Sequence, residues 1–474
     1  MVMGEQTLQT QVAVVGGGPA GYAAAFRAAD LGFEVALINQ EERLGGVCLL
    51  RGCIPSKVLM TLTQIIGDVR EADGWGIRFG EPEIDIDEVR STKRKIVDRL
   101  VRGLETLVEK RDIELVQARA VFESSDRIRI DHPDIAHIQF DHAILATGSL
   151  PLTLRGEEDV RHGRLISSTK ALDLPVLPEQ VLVVGGSYSG LEIAERYALL
   201  GSEVTVVEMK DRLIAAADPD LAKPLVRRMR RILADIQTET KVTKAEEHDD
   251  RVVVSFEGEW EGERDFDYVI TAIGRTPNTS DIGLENTEVD LDDDGFVIVD
   301  EEMRSSDEHI FAAGDVVGQP MLAHKAMYHG KTAAEVIAGE PAAYDVRCIP
   351  KVVYTSPEIA WCGLTEVEAE RQGREVRIRE FPWQASGRAR TLGVPQGLTK
   401  MLFDPETSRV LGVGVVGRNA EDLISEGALA VEMGAVAEDV ARTLHAHPTL
   451  AETESEVAEA FFGMATHIMS KRAE

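Results

Sequence analysis

The stretch Cys48-Leu49-Leu50-Arg51-Gly52-Cys53 sets two cysteines with four residues between them, in a chain of 474 residues that holds only four cysteines. Four are too few for a secreted scaffold held by bridges, and in a cytosolic setting such a close pair is catalytic or metal-binding rather than structural. The loop a bridge would close is short, and stabilisation by loop closure grows with loop length. Reactivity is the better reason for the pair, and it reads as a redox disulfide. Near the other end, His445-Ala446-His447 places two imidazoles in one loop. Taken alone they are one polar and one core histidine, or a metal pair; no cysteine ligands stand nearby, so no metal is expected. Cys348 and Cys362, flanking an apparent strand over residues 351–354, read as small buried apolar residues.

A duplicated nucleotide-binding unit positions the first pair. Gln11-Val12-Ala13-Val14-Val15 has the apolar run of a buried parallel strand, followed by Gly16-Gly17-Gly18-Pro19-Ala20-Gly21, an Ala-rich helix ending near Gly32, and a second strand. Val181-Leu182-Val183-Val184 leads likewise into Gly185-Gly186-Ser187-Tyr188-Ser189-Gly190, a helix closing at Gly201, and the strand Val204 to Glu208. Gly185, Gly201 and Glu208 stand 169 residues after Gly16, Gly32 and Asn39, a register without a gap. A glycine fingerprint alone also suits a tight turn or a helix C-cap, but each of these sits between strand and helix, as a pyrophosphate site requires. The first glycine (Gly16, Gly185) makes the turn. The second position (Gly18, Ser187) lets the backbone approach the pyrophosphate, and the third (Gly21, Gly190) lets helix pack on strand. The helix N-terminus then stabilises the phosphate charge.

The last residue of each second strand selects the ribose. Glu208 offers a carboxylate to both hydroxyls of an unphosphorylated ribose and repels a 2′-phosphate, so NAD is favoured over NADP there. Asn39 is neutral but still able to hydrogen-bond, with Glu41 close behind. Two later strands end in small residues: Ala143 to Thr147-Gly148 returns the first unit, and Tyr268 to Gly274-Arg275 the second. A third, His309 to Asp315, ends in a carboxylate suited to a polyol hydroxyl or to a helix cap. The second unit thus reads as inserted into the first, with the chain returning after about residue 276.

Composition bounds the rest. Apolar residues make up 44% of the chain and glycines number 41, enough for about three domains with substantial cores. The longest apolar runs fall short of the ~20 residues that cross a bilayer. The opening Met1 to Gln6 has neither the basic and apolar regions of a signal peptide nor an Arg-rich amphipathic pattern. A cytoplasmic protein with no membrane partner is expected. The net charge of -31 would repel nucleic acid. With lysine scarce beside arginine, the acidity suits a salt-adapted source, although GC-rich codon usage or a well-solvated surface also accounts for these features.

Several motifs carry a resemblance. Gly45-Gly46-Val47-Cys48 through Cys53-Ile54-Pro55-Ser56-Lys57, Ala313-Gly314-Asp315, Tyr354-Thr355-Ser356-Pro357-Glu358 and His445-Ala446-His447-Pro448-Thr449-Leu450 resemble the flavoprotein disulfide reductases, class I of the pyridine nucleotide-disulfide oxidoreductases. Val207-Glu208-Met209 and Pro320-Met321-Leu322-Ala323-His324-Lys325 point within that family to the branch that oxidises protein-bound dihydrolipoamide with NAD. The resemblance spans essentially the whole chain. It implies an α/β fold with two nested Rossmann-like domains, for FAD and NAD, and a C-terminal α+β dimerisation domain. The implied boundaries are an FAD-binding domain over residues 1–149, an NAD-binding domain over 150–275, a return to the FAD domain over 276–348, and the dimerisation domain over 349–474.

The resemblance also implies roles. FAD would be held by Gly16, Gly18, Gly21, Asn39, Gly46, Lys57, Ala120, Thr147, Gly148, Asp315 and Ala323, and NAD by Gly185, Ser187, Tyr188, Gly190, Glu208, Val242 and Gly274. Cys48 would be the interchange thiol facing substrate and Cys53 the thiolate against the flavin, with Lys57 beside the ring and paired to Glu192. His447, oriented by Glu452, would be the acid-base group, supplied across a homodimer to the partner's disulfide. Histidine suits this task because a dithiol attacks as thiolate and needs a base with pKa near the working pH. Expected partners are the lipoyl domains of acyltransferases or of glycine-cleavage carrier proteins, within 2-oxo acid dehydrogenase or glycine cleavage complexes.

Four positions depart from the family pattern: Ser187 at a fingerprint glycine, Asn39 at the first ribose position, Leu50 where asparagine is usual, and His329 where an acid is common. Tyr188 could gate the nicotinamide or simply pack. Two rival functions remain in view. A reductase of low-molecular-weight disulfides would generally use NADP, against which Glu208 speaks. A docking-only assembly subunit would have no need of Cys48, Cys53 and His447.

Overall fold

The computed structural model describes residues 6–80, 82–154, 163–174 and 176–469. The opening Met1 to Glu5 lies outside the described residues. In the first sheet Gln6–Val15 pairs in parallel with Val35–Asn39 on one side and Ile135–Leu145 on the other, and Glu114–Gln117 extends it. The long strand Ile135–Leu145 has two partners along one edge: its first half joins an antiparallel ribbon, and its second half pairs in parallel with Ile310–Ala312. A segment near residue 310 therefore completes a sheet begun at residue 6. Val12, Ala13 and Val14 are fully buried, because helices and the ribbon cover both faces of a parallel sheet.

The second sheet is wholly parallel. Its order is Asp235–Gln237, Glu203–Val207, Gln180–Val184, Tyr268–Thr271, Leu165–Ser167, and a three-stranded antiparallel ribbon over residues 240–266 accompanies it. The same strand-helix-strand unit has thus been built twice, each time with its glycine turn at the carboxyl end of a central strand. A third, antiparallel sheet of five strands carries Lys351–Val353 and Glu358–Gly363 at one side and is backed by helices Ala420–Met433 and Glu452–Phe461.

A buried charge cluster pins the second unit to the third sheet. Among the described residues, the acidic group close enough to hold a metal ion is Asp218, Asp220 and Glu366. It closes instead on the Lys400 ammonium, at 2.8, 2.8 and 2.7 Å, with Lys400 1% exposed. Burying that lysine is tolerable only because three carboxylates surround it.

The stretch Gly46–Trp75 is long and apolar enough by composition to cross a membrane, which the reading of apolar runs does not anticipate. Two α-helices, Gly46–Arg51 and Cys53–Glu71, broken at Gly52, and a terminal 3-10 turn, Ala72–Trp75, make it up. Leu59 and Ile66 are buried in the protein core, and Cys53, Ser56 and Lys57 line a cavity, so its apolarity serves packing.

Candidate active site

Both glycine turns open onto one cavity of about 1280 Å³. Gly16 and Gly185 adopt φ of +115° and +114°, and a Cβ there would lie 2.2 Å from the Ala146 carbonyl oxygen or 2.4 Å from that of Ala272. A Cβ on Gly21 or Gly190 would come within 1.7 or 1.9 Å of the oxygen of Gly16 or Gly185. Turn and helix are therefore locked together identically in both units. Helices Pro19–Asp30 and Tyr188–Leu199 begin with no side-chain cap, so their first N–H groups are open to a ligand. Uncapped donors at a helix N-terminus suit a pyrophosphate. Ser187 has φ of -78°, close to the -79° of Gly18, so serine costs no backbone strain. Gly18 also meets Gly46, where a Cβ would lie 2.7 Å from the Gly18 Cα.

The two ribose positions fold alike and differ chemically. Glu208 accepts from Gly186 N at 2.7 Å through one oxygen and from Lys210 N at 2.9 Å through the other, which fixes the carboxylate at the cavity wall. Asn39 Oδ1 accepts from Gly17 N at 3.2 Å, while its Nδ2 donates to the carbonyls of Glu41 and Arg43. Both amide protons are spent inside the protein, leaving only the oxygen for a ribose. Glu41 is held by Arg51 in a two-pronged ion pair, one contact being 2.7 Å. Arg51, set between the two cysteines, is a residue that the sequence reading misses. Leu50 instead joins the apolar cluster of Leu49, Val97 and Val101.

Cys48 lies in the helix Gly46–Arg51 and Cys53 opens the helix that follows the break at Gly52, and their sulfurs are 2.6 Å apart at the cavity wall. The hydrogen bond from Cys48 pulls the Cys53 thiol down to about 7, and Lys57 helps, against the opposing effect of burial. Cys48 is pushed up by the same contact and by burial. At neutral pH the pair holds its negative charge on Cys53. Four residues on, Lys57 Nζ stands 3.3 Å from Glu192 Oε2 and 3.7 Å from the centre of the Tyr354 ring. Glu192 is buried and accepts also from Ser56 Oγ at 2.9 Å, Tyr354 N at 3.0 Å and Arg196 at 3.3 Å. Burial alone would raise its pKa; Lys57, Arg196 and these donors hold it below the usual carboxylate range.

Ala120, Thr147, Gly148, Asp315, Ala323, Val242, Gly274 and Tyr188 all line the same cavity. Asp315 accepts from Ser149 Oγ at 2.5 Å, and Ser149 Oγ accepts from Arg275 Nε at 2.7 Å. This Arg275–Ser149–Asp315 chain joins residues far apart in sequence and has no local signal.

His447 and Glu452 are not among the cavity-lining residues of their own chain. His447 is 73% exposed at its side chain, with Nδ1 2.7 Å from Glu452 Oε1. Burial pushes Glu452 up, but Thr449 N at 2.6 Å and His447 hold it below the ordinary value. The carboxylate therefore claims the Nδ1 proton and leaves Nε2 facing outward as an acceptor. His445 is tied to Glu426 at 2.6 Å and to the Thr443 carbonyl at 2.8 Å. Both partners only accept, so both ring nitrogens donate, and the hydrogen bond to Glu426 raises the pKa. An imidazolium thus anchors the loop that presents His447. His329 is buried with neither ring nitrogen partnered, and burial pushes it down to about 3.

Residues 10–330 match the pyridine nucleotide-disulphide oxidoreductase family, and residues 349–458 match that family's dimerisation domain. The chain belongs to this family. Its dimerisation domain makes it a homodimer. It is 44% identical over 472 residues to a dihydrolipoyl dehydrogenase of Vibrio parahaemolyticus, covering 98% of each chain. To the dihydrolipoyl dehydrogenase of Halobacterium salinarum it is 40% identical over 477 residues, covering 99% of this chain and 100% of the relative. The crystal structure of LpdA from Mycobacterium tuberculosis superposes with a TM-score of 0.87 at 25% identity, over 95% of this chain and 99% of that one. The nested α/β architecture and the C-terminal domain read from the motifs are those of the family.

Proposed function

We propose that the chain oxidises protein-bound dihydrolipoamide to lipoamide with reduction of NAD, as a cytoplasmic homodimer. The observation that carries this reading is the Cys48–Cys53 pair on the wall of a cavity shared with two pyrophosphate cradles. The whole-length relatives named dihydrolipoyl dehydrogenase support it. FAD would lie against Gly16, Gly18, Gly21, Asn39, Gly46, Lys57, Ala120, Thr147, Gly148, Asp315 and Ala323, and would supply a two-electron relay between Cys53 and NAD. NAD would lie against Gly185, Ser187, Gly190, Glu208, Val242 and Gly274, with Tyr188 closing the nicotinamide side. Residues 1–149 and 276–348 form the first nucleotide domain, 150–275 the second and 349–474 the dimer domain.

His447 of one subunit takes a proton from a substrate thiol at Nε2, and Glu452 stabilises the imidazolium. The substrate thiolate attacks Cys48 of the oxidised pair; the Cys48–Cys53 bond breaks and Cys53 leaves as thiolate. The second substrate thiol then attacks the substrate sulfur in the mixed disulfide, closing lipoamide, and its proton goes to the departing Cys48. Lys57 stabilises the negative charge left on Cys53, and Glu192 holds Lys57 in place. Lipoyl domains of acyltransferases or of glycine-cleavage carriers would bring the dithiol.

Steady-state turnover of dihydrolipoamide with NAD and with NADP tests the reading. Turnover with a strong NAD preference is expected. A preference for NADP with reduction of a small disulfide would assign a different reductase, and absence of any dithiol turnover from flavin-loaded protein would leave a docking subunit.

A further inference from the structure

The turn from Tyr354 to Pro357 belongs to a sequence motif that the proposed chemistry leaves without a task. It joins strand Lys351–Val353 to strand Glu358–Gly363, which run antiparallel with Val353 opposite Ile359, and so is part of the third sheet. Its backbone is nevertheless held by the second nucleotide unit. Glu192 Oε1 accepts from Tyr354 N at 3.0 Å, and Arg196 Nη2 donates to the Tyr354 carbonyl at 3.4 Å. The two oxygens of Glu195 accept from Ser356 N at 3.2 and 3.0 Å. All three charged side chains are buried and lie on helix Tyr188–Leu199. Three buried charges addressing two peptide groups of one turn fix where its side chains point.

What the turn presents to the cavity is the Tyr354 ring. The Lys57 ammonium stands 3.7 Å from the ring centre and 3.3 Å from Glu192 Oε2. That carboxylate oxygen is shared with Ser56 Oγ and Arg196, so it is a divided partner for a lysine on a flexible stem. The negative face of the ring supplies a second attraction from another direction. Glu192 holds both the Tyr354 backbone and the ammonium that the ring faces, which sets ring and lysine against each other. Lys57 in turn favours the thiolate of Cys53.

We propose that Tyr354 is a positioning residue that acts through Lys57: its ring holds the ammonium where the charge stabilises the Cys53 thiolate. The proposal rests on the dithiol and flavin reading given above. It gives the dimerisation domain, residues 349–458, a part in the redox centre of its own subunit. The other titratable groups facing Cys53 are Cys48, Glu192, Tyr22 and Arg275, and a change of the Tyr354 ring replaces none of them. The Tyr354 phenol is pushed up to about 12, chiefly by burial, and is neutral wherever Cys53 titrates.

The test uses flavin-loaded, full-length protein carrying Cys48→Ser, in which Cys53 has no disulfide partner and its thiolate is read by long-wavelength absorbance. Acid titration of that band gives the Cys53 midpoint. Tyr354→Phe keeps the ring and should leave the midpoint in place. Tyr354→Leu should raise it by about one pH unit, the low end of what one neighbouring opposite charge does to a pKa. A trifluorinated phenylalanine at the same position keeps the ring shape while draining its negative face, and should also raise the midpoint; it decides the matter if the leucine variant does not bind flavin. In a Lys57→Met background neither change should move the midpoint further. A midpoint unmoved by the leucine and fluorinated variants, or a shift of equal size without Lys57, would overturn the proposal. Absence of the band from Cys48→Ser itself would overturn the dithiol and flavin reading, and the proposal with it.

Discussion

Replacing Glu208 by glutamine keeps the size of the side chain and removes the charge. In the folded protein both carboxylate oxygens are engaged by backbone N–H groups, those of Gly186 and Lys210. A glutamine carbonyl can satisfy one of them, and its amide then faces the other, donor against donor. The turn that approaches the pyrophosphate thus loosens at the same time as the ribose loses its charged acceptor. Loss of one charge-assisted hydrogen bond costs about 1.5 to 3 kcal/mol, roughly a tenfold to hundredfold loss of affinity. The KM for NAD in dihydrolipoamide oxidation should rise by about that factor, while visible absorbance reports unchanged flavin content, since the other cradle lies on a different sheet. The preference for NAD over NADP should narrow, because the carboxylate that repels a 2′-phosphate is gone. An NAD KM within twofold of the parent, with the preference intact, would remove Glu208 from the ribose site.

Cys48→Ser should abolish dihydrolipoamide turnover yet retain the long-wavelength absorbance of a thiolate against flavin, and Cys53→Ser should lose that band; the spectra and rates of the two variants decide between the roles. His447→Gln should slow dithiol oxidation by about a hundredfold or more while NADH-to-dye transfer survives, and subunit exchange with Cys48→Ser should restore up to half of the sites in each heterodimer. Inactive heterodimers, shown to form, would exclude a base acting across the interface. His329, held near 3 when folded against an ordinary 6.5, resists a proton that the unfolded chain accepts, so stability is full above 6.5 and falls as pH drops toward 3. That coupling amounts to a few kcal/mol, order of magnitude, and His329→Leu should flatten the fall in denaturation midpoint between neutral and acid pH; equal falls in both proteins would refute it.

What the sequence determined by itself is local. Gly16 and Gly185 must be glycine because φ is positive and a carbonyl oxygen occupies the place of a Cβ, and such demands recur at fixed spacing along the chain. The duplicated strands are legible for the same reason: burial on both faces leaves continuous apolar runs. Cys48 and Cys53 flank a single break between two helices, so their partnership needed no knowledge of the wider fold. His447 and Glu452 are likewise joined by a short turn, though their roles rest on resemblance to the family. Tertiary structure alone decided the contacts between distant residues. Arg275 reaches Ser149 and Asp315 only because two strands from separate segments pair, and Lys400 finds three carboxylates only when the second unit docks on the third sheet. Whether Glu41 faced a ribose or an arginine depended on side-chain direction just past the end of a strand. A shift of one residue in register reverses that direction, and no pattern in composition or spacing records it.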